Sequence, residues 1–100
     1  MRSARTSWIV PIDEDDFRAE MACVGAISVA VWANAPGDTY APHSHAYRKV
    51  LCCLDGSIIF HLPDGEVRLN RGDRVVIEAG HRHAASVGPG GVRCAEAHFA

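Results

Sequence analysis

Residues 37–56 read GDTYAPHSHAYRKVLCCLDG, and this stretch decides the fold. It opens and closes on a glycine, Gly37 and Gly56. Between them lie a His-x-His pair, His43 and His45, and an apolar run over 47–54. Residues two apart on a strand face the same side, so both imidazoles can point at one spot. The apolar run is bounded by turn residues, as a strand is.

Outward from this stretch the same punctuation repeats. Apolar runs at 57–62, 66–70, 74–78 and 92–99 lie between Asp55-Gly56, Pro63-Asp64-Gly65, Arg71-Gly72-Asp73, Ala79-Gly80 and Gly88-Pro89-Gly90-Gly91. Short strands with turn signals roughly every 8–12 residues predict a sandwich or barrel. Leu54-Asp55-Gly56 and Pro63-Asp64-Gly65 are expected to form tight hairpins, because glycine accepts positive φ. The stretch 24–33, VGAISVAVWA, is rich in β-branched residues and is expected to be a strand. One short helix is predicted over 13–21, DEDDFRAEM, with Asp13 as its cap and acidic residues in the first turn. That acidic run reads as a solvated helix face. No long linker, repeat or low-complexity tract divides the chain. The expected organisation is an N-terminal segment 1–22 carrying the helix and a single β-barrel domain over 23–100.

Composition narrows the function. One hundred residues, 48% of them apolar, suffice for one modest hydrophobic core. A net charge of −2 and a pI near 6.3 give no basic footprint for nucleic acid and no polybasic membrane anchor. The start, Met1-Arg2-Ser3-Ala4-Arg5, is not followed by an apolar signal core, and no segment has the length of a membrane helix. The cysteines, Cys23, Cys52, Cys53 and Cys94, form no CxxC pair or zinc-ribbon spacing. Cys52 and Cys53 should point to opposite faces of a strand, as small buried hydrophobes. A soluble, cytoplasmic protein with reduced thiols is expected.

Six histidines are present: His43, His45, His61, His81, His83 and His98. Imidazole is the commonest neutral metal ligand. His81 and His83 are again two apart after a glycine turn, and one of them could close a site begun by His43 and His45.

In these residues the chain resembles the cupin superfamily. Its first motif runs Gly, five residues, His-x-His, three or four residues, Glu, six residues, Gly. Here Gly37, DTYAP, His43-Ser44-His45, AYR, Lys49, VLCCLD and Gly56 keep that spacing, with Lys49 in place of the Glu. The second motif runs Gly, five residues, Pro-x-Gly, two residues, His, three residues, Asn. Here Gly72, DRVVI, Glu78-Ala79-Gly80, His81-Arg82, His83, AAS and Val87 keep it, with Glu78 for Pro and Val87 for Asn. The resemblance covers residues 37–87. It implies an all-β fold, a small double-stranded β-helix or jelly-roll barrel with one short N-terminal helix. It places one divalent metal ion (Fe, Zn, Ni, Mn or Cu) on His43, His45 and His83. His81 then falls on a variable turn position, and His61 and His98 have no matching role.

Lys49 is the departure that matters. An ammonium cannot ligate a metal and would repel it, by about 4 kcal/mol at 4 Å with an effective dielectric near 20. Strand parity puts Lys49 on the face of His45, with Tyr47, Leu51 and Cys53. It can bend away or pair with an acid such as Glu78 or Glu96. It can also attract a substrate anion beside the metal, or replace the metal altogether. Three functions follow: a metal-dependent dioxygenase acting on a small chelating molecule, with Lys49 or Tyr47 as catalytic residues steering the substrate anion; a non-enzymatic small-molecule-binding or sensor cupin; and a metal-free isomerase or epimerase. The expected partners are a small-molecule ligand and a second copy in a homodimer, because a barrel of this size has edge strands to cover.

Overall fold

A computed structural model describes residues 13–100, and of residues 1–12 the backbone of Arg5–Thr6 alone. Residues 1–4 and 7–12 of the expected N-terminal segment lie outside the described residues. In chain order the elements are β1 (Arg5–Thr6), α1 (Glu14–Cys23), β2 (Ser28–Asn34), β3 (Thr39–His43), β4 (Arg48–Leu62), β5 (Gly65–Asn70), β6 (Arg74–Ile77) and β7 (His83–Phe99). The fold is the expected all-β jelly roll with one short helix.

Two long antiparallel strands, β4 and β7, form its spine. They pair along nearly their whole length, from Arg48 opposite Phe99 to His61 opposite Ala84. Each then takes two further neighbours, one per half. The first half of β4 pairs with β6 and its second half with β5. The last part of β7 pairs with β2 and its first part with β3. Each spine strand therefore has a different outer neighbour on each half, and the single seven-stranded sheet curls around a core.

The bend between the halves corrects two expectations. Leu54-Asp55-Gly56 is not a hairpin, and Gly88-Pro89-Gly90-Gly91 does not end a strand; both lie within continuous strands. The register of β4 against β7 shifts between Cys53 and Asp55 and again between Gly56 and Ile58. Gly56 and Gly91 have φ of +74° and +77°. A Cβ on Gly56 would lie 2.0 Å from the Gly91 carbonyl oxygen, so the two backbones meet where a side chain cannot fit. Turn chemistry here bends a strand instead of reversing it. Pro63-Asp64, by contrast, does reverse the chain, with Leu62 opposite Gly65.

The helix begins as expected. The Asp13 carboxylate accepts from the Asp16 N–H at 2.8 Å, capping α1. It runs two residues further than the pattern suggested, to Cys23, and β2 starts only at Ser28. Residues 24–27 turn the chain instead, with Gly25 at φ +90°.

Alternation on the spine makes two cores. Leu51, Cys53, Ile58, Phe60, Leu69, Val75, Ile77 and Cys94 pack inside the barrel. Val50, Cys52, Leu54, Ala95, Ala97 and Phe99 pack on the outer face against Phe17 and Met21 of α1. Cys52 and Cys53 thus face opposite ways, as expected, and both are buried. The unbroken apolar run of 50–54 follows from a strand that is covered on both sides. Arg74 of β6 ties the helix down, donating to both Glu20 oxygens at 2.6 and 2.7 Å and lying over the Phe17 ring.

Candidate metal centre

β3 ends where β7 begins, and His43 and His83 are direct cross-strand partners there. His45 follows two residues later, in the connection to β4. The ring centroids of His43 lie 4.8 Å from His45 and 4.4 Å from His83. One ligand nitrogen from each of the three rings falls within 4.8 Å of the others.

Hydrogen bonds fix which nitrogens are available. His43 Nδ1 lies 2.7 Å from the Ala41 carbonyl, and His83 Nδ1 lies 2.9 Å from the His81 carbonyl. A carbonyl only accepts, so each Nδ1 carries the proton and each Nε2 keeps a lone pair. His83 is 2% exposed, and its Nε2 is buried with no hydrogen-bond partner among the described residues. A buried acceptor left without a donor is costly. A metal ion satisfies it, and the backbone carbonyl behind each ring is the outer support that ligating histidines have. Burial holds the pKa of both His45 and His83 below the usual imidazole value, and Lys49 and His43 push it the same way. Both rings are therefore held in the neutral, ligating form. The three residues fit a metal ion.

The rings open into a cavity of about 220 Å³. Its walls are Trp32, Tyr40, Leu51, Ile58, Phe60 and Ala85, with Lys49 and Glu96 beside the histidines. Lys49 is 6% exposed, and its Nζ sits 3.6 Å from Glu96 Oε1. Burial lowers the Lys49 pKa, and Glu96 opposes that. Of the two acids suggested by the sequence, Glu96 is the partner. Burial disfavours the Glu96 anion, yet hydrogen bonding from His98 and the charge of Lys49 outweigh it, and its pKa is lowered overall.

Tyr47 stands outside the cavity lining. Its ring lies between those of His45, at 4.9 Å, and His98, at 4.3 Å. Burial raises its pKa, so the phenol stays protonated. His98 bonds Glu96. His61 is satisfied by Ser86 at 2.8 Å and Glu66 at 2.7 Å. Neither His61 nor His98 joins the cluster of three. His81 is half-buried, and its carbonyl supports His83. Cys53 is sealed in the core outside the cavity lining, its thiol donating to the Asp55 and Gly56 carbonyls at 3.4 Å. Burial pushes the Cys52 thiol up to about 11.

Sequence reasoning missed the cavity walls Trp32, Tyr40 and Phe60, and the central place of Glu96. A signal for Glu96 existed. Glu96 and His98 are polar residues two apart in an otherwise apolar run, hence on one face of a strand.

The sequence profile of the Cupin domain matches residues 30–94, and the chain belongs to that family. No curated protein matches the sequence. Solved structures that share the fold include the following three. A protein of unknown function from Rhizobium leguminosarum bv. viciae superposes with a TM-score of 0.69 at 19% identity, over 76% of this chain and 75% of its own. A cupin superfamily protein from Desulfitobacterium hafniense gives 0.67 at 12% identity, over 98% and 77%. A DUF861 family protein from Thermotoga maritima gives 0.68 at 14% identity, over 98% and 100%. Identities this low carry the fold alone.

Proposed function

We propose that this cupin binds one divalent metal ion through His43, His45 and His83, and that its cavity takes a small chelating anion. The observation that carries this is the buried, unpartnered Nε2 of His83 beside two further imidazoles. The donor set of neutral nitrogens suits Fe, Zn, Ni, Mn or Cu. Three protein ligands leave positions open for a small molecule. Bound there, the ion supplies Lewis acidity, and iron would add redox chemistry with dioxygen.

The chain's own residues supply the rest. Lys49 has one acidic partner at 3.6 Å and retains donors for a substrate carboxylate or enolate. Leu51, Ile58 and Phe60 exclude water from that contact. Tyr47 braces the ring of His45 by stacking on it. A dioxygenase of a small chelating substrate is the activity we infer, with Lys49 and Tyr47 as the residues that serve the substrate and the site.

The test is metal content. Tag-free protein is analysed by inductively coupled plasma mass spectrometry beside His83→Ala. Near-stoichiometric metal in the wild type and little in the variant is expected. Metal absent from the wild type would overturn the reading and favour a metal-free isomerase or epimerase. Metal present, with no oxygen consumption on any small chelating acid, would favour the sensor.

We also infer a cytoplasmic homodimer. Among the described residues β2 pairs only with β7, so its outer edge is available to a second copy. Four free thiols suit a reducing compartment. No helix among the described residues is long and apolar enough to cross a membrane.

A further inference from the structure

We propose that Glu96 is the charge partner that lets the Lys49 ammonium and a divalent cation share one cavity. This rests on the reading that the three histidines bind a metal. The Lys49 and Glu96 side chains are only 8% and 15% exposed, so water does little to screen their charges from each other or from a cation at the histidines. Lys49 alone would be a repulsive neighbour. Paired with a carboxylate 3.6 Å away, it presents a dipole in place of a net charge.

The carboxylate is built to stay where it is. Trp32 Nε1 donates at 3.2 Å to the same oxygen that faces Lys49, and the other oxygen takes the His98 ring. Trp32 is itself braced edge-on by Tyr40, at 6.2 Å between centroids. Held by these donors, Glu96 is not among the groups whose ligand atoms converge with the histidines. It therefore acts on Lys49 and not as a ligand. The spine register explains the pairing. Lys49 stands opposite His98 and Leu51 opposite Glu96, so Lys49 and Glu96 are diagonal neighbours on antiparallel strands, within reach of long side chains.

Glu96 is thus a positioning residue that offsets the Lys49 charge, so a protein lacking both charges should hold a cation as the wild type does. The experiment is a double-mutant cycle read by Co²⁺ affinity, in competition with a chromophoric chelator, on the tag-free full chain. Glu96→Gln should weaken Co²⁺ binding by roughly tenfold, which is about 1.4 kcal/mol. Adding Lys49→Met to Glu96→Gln removes the uncompensated ammonium and should restore affinity to within about threefold of the wild type. A double variant that binds Co²⁺ as weakly as Glu96→Gln would mean that Glu96 serves the metal or the fold directly, and overturns the proposal. So does a Glu96→Gln protein that binds Co²⁺ like the wild type. Circular dichroism and thermal melts check folding. Should Glu96→Gln fail to fold, Trp32→Phe takes its place: it removes one bond to the carboxylate, and adding Lys49→Met should restore the Co²⁺ affinity it loses. A persisting or absent effect there also overturns the proposal. A wild type that takes up no Co²⁺ sinks the metal reading itself, and the proposal with it.

Discussion

The two faces of β4 show how one strand divides stability from chemistry. Its outward face, Val50, Cys52 and Leu54, is sealed by Phe17 and Met21 of the helix and by Phe99. Arg74, a buried charge beside Phe17, is paired there with Glu20. Its inward face keeps Cys53 in the core, but Ile58, Leu51 and Lys49 line the cavity. There the packing stops short, and the buried Nε2 of His83 has no hydrogen-bond partner among the described residues. A core residue is defined by what fills the volume around it. A site residue is defined by what is left to be filled.

The largest effect that would test this contrast is Phe17→Ala. The ring is fully buried, and its loss should cost about 3–5 kcal/mol in denaturant unfolding. Metal affinity per folded molecule should stay unchanged; a matching loss of affinity would show that the faces are not separate. Next comes the gain from metal. At a free concentration one hundred times its dissociation constant, a bound ion adds about 2.7 kcal/mol to stability. Wild type should show that gain in a thermal melt and His83→Ala should not, while the metal-free proteins melt alike.

A smaller effect concerns acid. Hydrogen bonding to Arg74 holds the Glu20 pKa below its ordinary value. A depressed carboxylate contributes stability that is complete above its unfolded pKa, near 4.5, and is lost as pH falls through the folded value. Glu20 is 37% exposed, so the contribution is about 1 kcal/mol or less. Glu20→Gln should lower stability by that amount above pH 4.5 and converge with the wild type in acid, so that its curve is flatter below pH 4.5. Last, thiol labelling should find one fast cysteine, the exposed Cys23. Cys52, Cys53 and Cys94 should react only on unfolding; early modification of Cys53 would mean that the inner face opens more readily than its burial implies.

Much of the molecule was legible in the sequence because the signals are local. The spacing of His43, His45 and His83 within two motif frames survives folding: the three rings meet, although His45 lies in the connection after β3. The Asp13 cap and the Pro63-Asp64 reversal are local as well. What was misread depended on remote partners. Leu54-Asp55-Gly56 has the chemistry of a turn, and only its pairing against Gly91 and Val92 makes it a bend. Tyr47 shares the parity of Lys49, but the chain at 44–47 is not strand, so parity does not bind it to the cavity.

By itself the sequence determined the strand-rich class and the facing pair His43 and His45, which rest on period and short spacing, while the choice of His83 came from the resemblance to the second cupin motif. Only the tertiary structure decided that His43 stands opposite His83, that Glu96 and not Glu78 meets Lys49, and that Trp32 closes the wall beside them. Those choices are made by register between residues 40 to 64 positions apart, and register is a property of the assembled barrel, not of any one segment.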